Sequence, residues 1–387
     1  MSDSRSKYAI PVMSFSAGTI VANVYYSQPI LKQIAGSIGA TETTVGKIPM
    51  LAQIGYGAGM FFLLPLGDKV NRRKLILTLA TLLAVFLVLF ANVSSPALLY
   101  SLALLTGICS SPAQIILPMA ATLGTENRGK NVGIVFSGIL CGIIGSRILS
   151  GLLTDLWGWR SVFIASAVLV IISIILLYLF LPAVAPKFSG SYTNLIASTL
   201  QLIKRYKTLR QAALLGAFCF GIFCSFWTTL TFHLSGAPYN YSSSTIGSFG
   251  IIAIGGALVA PYFGRLADRG QVFKNLYITV GLLIGSIVCM LIFPLSVPVL
   301  VGAVFFLDIG VQATQITNFT RIYALDEEAH SRLNTVYMTT YFIGAGTGTF
   351  FGLLSWTIGG WHGALLQMLL WSGIALMIVY LSKKEKL

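Results

Sequence analysis

Charged side chains are scarce in this 387-residue chain. Lys, Arg, Asp and Glu together make up 9% of the residues, hydrophobic residues make up 56%, and the mean hydropathy is +0.84. The single core of a soluble protein could not bury so much apolar surface, so the composition excludes a soluble globular protein. A membrane span needs about 20 apolar residues, and the chain is long enough for about a dozen spans joined by short loops.

Acidic residues are the scarcest charged type. The chain has 11 Asp and Glu against 25 Lys and Arg, which gives a net charge of +14. The basic residues are scattered through short loops between apolar stretches, which is how membrane topology is encoded. This distribution argues against nucleic acid as a partner and indicates a lipid bilayer instead.

Catalytic and redox signatures are also missing. The five cysteines lie inside apolar stretches without metal-ligand spacing, so they are interpreted as small packing residues, and we expect no metal and no disulfide framework. The spans contain no His/Asp/Glu or Cys/His cluster, so we expect no catalytic residue, no cofactor and no enzyme. A sensor would carry an output domain or a long tail, and neither is seen. No G-x-x-x-x-G-K-[ST] loop occurs, which excludes nucleotide-driven transport.

Apolar runs separated by short polar stretches predict an all-α membrane protein with twelve transmembrane helices. The predicted spans are 9–34, 47–66, 74–94, 97–122, 131–154, 159–181, 210–234, 244–264, 274–294, 298–321, 333–356 and 361–381.

The basic residues fix the predicted orientation of these spans. Of the 25 Lys and Arg, 21 fall on the side of the N-terminus, three (Lys32, Lys47 and Arg160) fall on the other side, and Arg147 falls within a span. By the positive-inside rule both termini are predicted to be cytoplasmic.

Short internal repeats indicate a duplicated chain. Leu66-Gly67-Asp68-Lys69 returns as Leu266-Ala267-Asp268-Arg269, at an offset of 200 residues. The longest connection separates six spans from six and carries basic residues on a predicted amphipathic interfacial helix. The predicted domains are therefore a six-helix bundle at 1–181, a cytoplasmic linker at 182–209 and a second six-helix bundle at 210–387, with the two bundles pseudo-symmetric.

The loop after span 2 carries a recognisable motif. It reads Leu64-Pro65-Leu66-Gly67-Asp68-Lys69-Val70-Asn71-Arg72-Arg73-Lys74, and the loop after span 8 repeats it as Gly264-Arg265-Leu266-Ala267-Asp268-Arg269-Gly270. Both resemble the loop 2–3 signature of the major facilitator superfamily. The first copy departs from that signature at Leu64 and at Asn71, although Asn can occupy the left-handed backbone region that Gly would fill.

The resemblance covers the whole chain and implies a role for the motif. A carboxylate caps a helix start and pairs with an Arg of the neighbouring loop, which holds the bundles in one conformation. The alternative is a solvated charged turn. The conformational gate implied by the resemblance consists of Asp68, Arg72, Arg73, Asp268 and Arg269.

Three further stretches are similar to bacterial inner-membrane proton antiporters of the drug and sugar-efflux type. They are 22–29, 145–151 and 307–310. The resemblance implies a multi-pass protein of the inner membrane, which we expect to be a monomer. In span 5 the pattern departs from that group, because Gly142 and Gly145 are present but no proline follows. Ala103 also replaces the Arg that proton-coupled relatives often carry in span 4, so the resemblance supports transport more than proton antiport.

Arg147 and Asp308 are the only Asp, Glu, Lys or Arg that we place well inside the spans. A charge at the bilayer centre costs at least ~2.5 to 3.5 kcal/mol on insertion scales, so each is a candidate functional residue. We interpret Asp308 as the proton-coupling residue and Arg147 as its charge partner. The alternatives are a structural ion pair, or an Arg147 that bonds only to backbone carbonyls.

The resemblance implies that spans 1, 4, 7 and 10 line the substrate cavity. Asp308, Gln312 and Gln315 share one helical face that is too polar to meet lipid. This face either lines a wet cavity or makes hydrogen bonds between helices. Three candidates, Tyr25, Tyr26 and Trp227, either stack on the solute or anchor their spans at the membrane interface. His233 is either a headgroup-level hydrogen bonder or a proton relay, and we rank it below Asp308. The candidate substrate-binding residues are Asn23, Tyr25, Tyr26, Gln28, Gln114, Trp227, Gln312, Gln315 and Asn318.

These observations lead to one predicted function and one alternative. We expect a secondary active transporter whose partners are a small organic substrate and protons, working as a proton-coupled exporter. The alternative is proton-coupled uptake or exchange of a small metabolite.

Overall fold

The computed structural model describes the backbone of residues 2–120, 123, 128–182, 191–326 and 329–384. Within these ranges the side chains of residues 2–7, 68, 128, 256–258, 260, 261, 264, 267 and 268 are not described. The described residues form helices and no strand. Nine of the described helices are long and apolar enough to span a membrane, by length and composition.

Eight α-helices cover the first six predicted spans. They are α1 (Ser2–Ala22), α2 (Leu31–Ile38), α3 (Glu42–Lys69), α4 (Arg72–Asn92), α5 (Pro96–Ser110), α6 (Pro112–Ala120), α7 (Arg128–Trp157) and α8 (Trp159–Phe180). Proline at the first helical position starts α5, and Gly158, at φ 82°, separates α7 from α8.

The remaining helices are α9 (Tyr192–Arg205), α10 (Lys207–Ser235), α11 (Ser243–Ser248), α12 (Ile252–Asp268), α13 (Val272–Ile292), α14 (Val297–Tyr323) and α15 (His330–Lys384). Gly359 and Gly360 have non-helical backbone angles inside α15, with φ −134° and 56°, so α15 consists of two helices. Counted in this way, the described elements account for all twelve predicted spans, and the protein has the twelve-helix fold in two six-helix bundles.

The span predicted over 9–34, in which Pro29 is expected to free backbone groups and kink the helix, is not one continuous helix. Helix α1 ends at Ala22, a short 3₁₀ helix covers Gln28–Ile30, and α2 begins at Leu31. Pro29 has no backbone N–H to donate and disfavours helical geometry at the residue before it. The break therefore coincides with the stretch 23–28, which holds four candidate substrate-binding residues.

Asn71 does not take the left-handed backbone that Asn can occupy. Its backbone is extended, with φ −61° and ψ 110°, and its side chain accepts a hydrogen bond from the Lys74 amide at 3.3 Å. Asn71 is therefore the N-cap of α4, a position that Asn favours because its oxygen satisfies an unpaired amide of the first turn. In the second copy of the motif Gly270 takes the left-handed backbone, at φ 81°.

The chain packs into two compact units. The first comprises Met1–Ala40, Leu51–Ile196 and Ser242–Gly247, and the second comprises Thr41–Met50, Ala197–Tyr241 and Ser248–Leu387. The division into 1–181, 182–209 and 210–387 stays a prediction. Within 182–209, helix α9 buries Leu195 and Leu202 and exposes Lys204 and Arg205, so it is amphipathic.

The first unit contains a close approach of α1 and α7. A Cβ at Gly138 would lie 2.3 Å from the Ser14 carbonyl oxygen, and one at Gly142 would lie 2.2 Å from that of Gly18. Only glycine fits there. Membrane helices commonly associate through such small residues. Lipid is as apolar as the helix surfaces, so close van der Waals packing has to drive their association.

The second unit repeats this arrangement between α10 and α15. A Cβ at Gly344 would lie 2.2 Å from the Ala217 carbonyl oxygen, and one at Gly348 would lie 2.2 Å from that of Gly221. Helix α14 packs against α13 through a hydrogen bond between the Thr314 and Thr279 hydroxyls, 2.7 Å long. These contacts fix the backbone of α10 and α14, which carry the candidate site residues of this unit.

Candidate functional site

Arg147 is buried inside the first unit, with 1% of its surface exposed. Its Nη2 donates a hydrogen bond to Gln28 Oε1 at 3.2 Å, and its Cζ lies 5.4 Å from the centre of the Tyr25 ring. A cation over an aromatic face is attracted by the ring quadrupole, more strongly when both are desolvated. Arg147 therefore contacts two side chains of the chain break after α1, and the alternative in which it bonds only to backbone carbonyls does not hold.

Gln28 is oriented by this break. Its carboxamide is buried, with Oε1 facing Arg147, and among the described residues its Nε2 has no hydrogen-bond partner. A buried amide donor without a partner costs about 1 to 3 kcal/mol, so such groups are uncommon outside functional sites. Gln28 thus presents a donor beside a buried cation, an arrangement able to bind an electronegative atom.

The other candidates of the first unit serve partly as structural residues. Asn23 Nδ2 donates to the carbonyl oxygens of Thr19 and Ile20, at 3.0 and 3.2 Å, and its Oδ1 accepts from Ser166 Oγ at 2.7 Å. These bonds terminate α1 and join it to α8. Half-buried Gln114 donates to Tyr56 Oη at 3.2 Å.

Asp308 lies near the middle of α14 and has 2% of its surface exposed. Gln312, one turn further, and Gln315, two turns further, are half-buried, as the shared face predicts. Gln315 Nε2 lies 3.6 Å from Met338 Sδ, and Asn318 Nδ2 donates to the Ala212 carbonyl at 3.2 Å. Gln315 and Asn318 therefore make contacts between helices, whereas a binding role for them stays a prediction.

Tyr25, Tyr26 and Trp227 are all buried in the protein, which disfavours their interpretation as interfacial anchors. In the second unit, Trp227 belongs to a row of rings along α10. Its ring centroid lies 6.1 Å from that of Phe223, and Phe220 stacks on Tyr341 at 3.9 Å. The sequence analysis identified Trp227 but missed the rest of this row, although Phe220, Phe223 and Trp227 recur at helical spacing.

His233 packs within the second unit, and its two interpretations stay predictions. Its ring is stacked on that of Trp361, with centroids 4.3 Å apart and planes 3° apart, and its Nε2 lies 3.3 Å from the Pro294 carbonyl oxygen. These contacts give it a packing role within the second unit.

The gate residues are described in part. Arg72 Nε donates to the Gly67 carbonyl at 3.1 Å, and Arg73 donates to the Tyr178 carbonyl with its Cζ 5.4 Å from the Tyr178 ring centre. Arg269 is exposed. The side chains of Asp68 and Asp268 lie outside the described part of the structure, so their pairing with Arg stays a prediction.

Two charged residues were missed by the sequence analysis. Asp155, in the last turn of α7, accepts hydrogen bonds from the amides of Ser243 and Ser244, at 3.2 and 2.8 Å, and so caps α11 within the first unit. Arg321, one of the 21 basic residues predicted on the side of the N-terminus, is 9% exposed at the end of α14. The sequence does not indicate that Arg321 is buried, because Arg321 is the last residue of the span predicted over 298–321.

Among the residues that the structure describes, no group of three or more His, Cys, Asp or Glu side chains is placed to hold a metal ion. Among the candidate residues, the first unit carries the buried guanidinium of Arg147 and the second unit carries the buried carboxylate of Asp308.

Comparisons with known proteins agree with this description. A family model described as Major Facilitator Superfamily matches residues 13–349. An uncharacterized transporter of Escherichia coli O157:H7, YgaY, is 38% identical over 371 residues, which is 94% of either chain. A bacterial homologue of the human lysosomal transporter Spinster, solved inward-facing and unoccupied, superposes with a TM-score of 0.78 at 14% identity, over 99% of this chain and 98% of that one. For the nucleoside transporter NupG the TM-score is 0.73 at 14% identity, over 97% of both chains. At such identities the two structures are alike in fold alone.

Proposed function

Because the chain belongs to the major facilitator superfamily, we propose that it is a secondary active transporter that moves a small organic solute across the bacterial inner membrane by alternating access. The observation that carries this proposal is the burial of Arg147 and Asp308 within apolar helices. Such charges are costly in a membrane protein and mark solute or proton pathways. The absence of a nucleotide-binding loop from the sequence leaves an ion or solute gradient as the energy source.

We further propose that transport is coupled to protons and runs outward. A buried carboxylate that is charged in one state of the cycle and protonated in another carries a proton across, and Asp308 is the candidate. Arg147 is proposed as the residue that tunes it. Proton-coupled uptake or exchange of a metabolite is the second candidate, since the same two residues support it equally.

The contacts in each unit support a solute with particular chemistry. In the first unit Gln28 Nε2, which has no hydrogen-bond partner in the described part of the chain, lies beside the Arg147 guanidinium, a combination that favours a hydrogen-bond acceptor. In the second unit the ring of Trp227 offers an aromatic face for a planar or apolar portion. Each unit on its own therefore favours one chemical feature of the proposed solute.

The motif residues are proposed as a conformational gate. In this proposal Asp68 and Asp268 secure a conformation and do not contact the solute. Asp68→Ala is therefore expected to lower the transport rate, while the solute affinity stays within about twofold of the wild-type value. Rate and affinity measured in the same proteoliposome preparation separate the two effects. A tenfold weaker affinity at an unchanged rate would contradict the gate.

A compound panel scored by thermal stabilisation of the purified protein tests the transport proposal. A ligand that binds the folded state raises the melting temperature. A compound that stabilises the wild type, stabilises Gln28→Leu less, and is carried into proteoliposomes supports the proposal. If stabilising compounds are found and none of them crosses the proteoliposome membrane, the transport proposal fails.

A further inference from the structure

A cavity of about 480 Å³ opens where four helix ends of the second unit meet. It lies between the start of α10, the start of α13, the end of α14 and the end of α15, away from Asp308 and Trp227. Its lining consists of Lys207, Thr208, Gln211, Val272, Phe273, Thr320, Arg321, Ala324, Leu325 and Ser382. The volume is in the range of small-molecule binding sites.

The lining is positively charged. Arg321 and Lys207 contribute cations, and none of the lining residues is Asp or Glu. The contacts recorded for the Arg321 guanidinium are uncharged: Nη1 donates to Asn318 Oδ1 at 3.2 Å, and Cζ lies 5.6 Å from the centre of the Phe273 ring. An arginine has five N–H donors, so this hydrogen bond leaves donor capacity beside the cavity.

Two helix starts add positive potential to the same cavity. Lys207 and Val272 are the first residues of α10 and α13, and both line it. The residues before them, Tyr206 and Gln271, make no side-chain capping hydrogen bond. The first-turn amides of a helix lack partners within the helix, and they carry a partial positive charge that favours anions.

We propose that this cavity binds a phosphate group, with Arg321 and Lys207 as charged ligands and the first-turn amides of α10 and α13 as backbone donors. A guanidinium forms paired hydrogen bonds with phosphate oxygens, and helix starts are common phosphate sites. The positive-inside rule predicts this end of the unit to be cytoplasmic, where phosphate is presented by anionic lipid headgroups and by soluble phosphates. The proposal does not depend on the transport function.

Thermal unfolding in nanodiscs at fixed ionic strength tests the proposal and separates the two sources. In one arm, inorganic phosphate is titrated against the protein in neutral phosphatidylcholine, with chloride as the control anion. In the other arm, phosphatidylglycerol replaces part of the phosphatidylcholine. We expect stabilisation in at least one arm, and the arm identifies the source.

Three variants decide whether the stabilisation comes from this cavity. Arg321→Gln removes the buried cation, and Ala324→Asp adds a carboxylate at an exposed lining position, so each is expected to weaken binding tenfold or more. Lys204→Gln removes an exposed cation of α9 that does not line the cavity, and it should bind within twofold of the wild type. If Arg321→Gln does not fold, Ala324→Asp decides alone. The proposal is overturned if neither arm stabilises the wild type. It is also overturned if Arg321→Gln or Ala324→Asp, when folded, is stabilised as strongly as the wild type. In either case Arg321 only offsets the helix dipole of α14.

Discussion

A hydrogen bond connects the buried cation of the first unit to the break in the first span. Arg147 Nη2 donates to Gln28 Oε1, and the Tyr25 ring lies against the guanidinium. A buried charge is tolerated only when its polar groups are satisfied, so these two contacts offset part of the cost of placing Arg147 among apolar helices. The arrangement stabilises the fold and holds the proposed binding group in position.

We expect Gln28→Leu to destabilise the protein. The substitution removes the acceptor of a charge-assisted hydrogen bond, and a donor left unsatisfied costs about 1 to 3 kcal/mol of unfolding free energy. Thermal unfolding in detergent measures the effect. Gln28→Glu is the matched control, because its carboxylate accepts the same hydrogen bond and should preserve the melting temperature. An unchanged melting temperature in Gln28→Leu would mean that the hydrogen bond contributes nothing.

Individual site residues were predictable to different degrees. The burial of Arg147 and Asp308 follows from the sequence, because a charge within an apolar run has no water to reach. The Gln28 contact does not follow, because residues 28 and 147 are far apart in the chain and the break after Ala22 decides where the carboxamide points. Arg321 shows the same limit, since burial at a helix end depends on what packs around it.

At the scale of elements, glycines bring α1 and α7 into close contact in the first unit. Gly18, Gly138 and Gly142 bring two backbones together, and Ala217, Gly221, Gly344 and Gly348 do the same for α10 and α15. The equivalent contact in both units agrees with the duplication that the repeated motifs indicate. Close backbone contact maximises the dispersion attraction between the helices. Dispersion has to hold membrane helices together because the hydrophobic effect does not drive their association in lipid.

Gly142→Ala is expected to destabilise the protein, and Gly145→Ala is its matched control. A Cβ at position 142 would meet the Gly18 carbonyl oxygen at 2.2 Å, whereas one at position 145, on the same helix, would meet nothing within 4 Å. The first substitution forces the helices apart, at a cost of about 1 to 3 kcal/mol for overpacking. The second is expected to be neutral or stabilising, because Ala has the higher helix propensity.

Thermal unfolding of both glycine variants under identical conditions checks this prediction. Equal melting temperatures would show that α1 and α7 do not need the glycine contact.

The elements themselves were largely predictable from hydrophobic run length. Runs of about 20 apolar residues predicted twelve spans, and helices occupy all of them. Local backbone chemistry explains two details: the first span is interrupted just before Pro29, which lacks a backbone N–H, and Asn71 caps α4 with its side chain instead of taking a left-handed backbone. Hydrophobicity alone predicts neither the break in the first span nor the side-chain cap at Asn71.

For the molecule as a whole, the distribution of basic residues predicts the orientation in the membrane. With 21 Lys and Arg on one side and three on the other, helix α9 and both termini are expected in the cytoplasm. Single cysteines in a cysteine-free background, labelled with an impermeant reagent in intact cells, test this. A cysteine at Gln201, exposed on α9, should stay unmodified, and one at Ser95, exposed before α5, should react. Labelling at Gln201 with none at Ser95 would reverse the topology.

The central claim is that the protein couples solute movement to protons through Asp308, and flux in proteoliposomes with an imposed pH gradient tests it most directly. The test compares the wild type with Asp308→Asn, a neutral mimic of the protonated residue. The control variant is Asp326→Asn, whose carboxylate accepts a hydrogen bond from Tyr206 Oη at 3.3 Å outside the long helices. We predict that the wild type and Asp326→Asn concentrate the solute, and that Asp308→Asn does not, although it still binds and exchanges it. If Asp308→Asn concentrates the solute at the wild-type rate, Asp308 does not couple transport to protons and the account is contradicted.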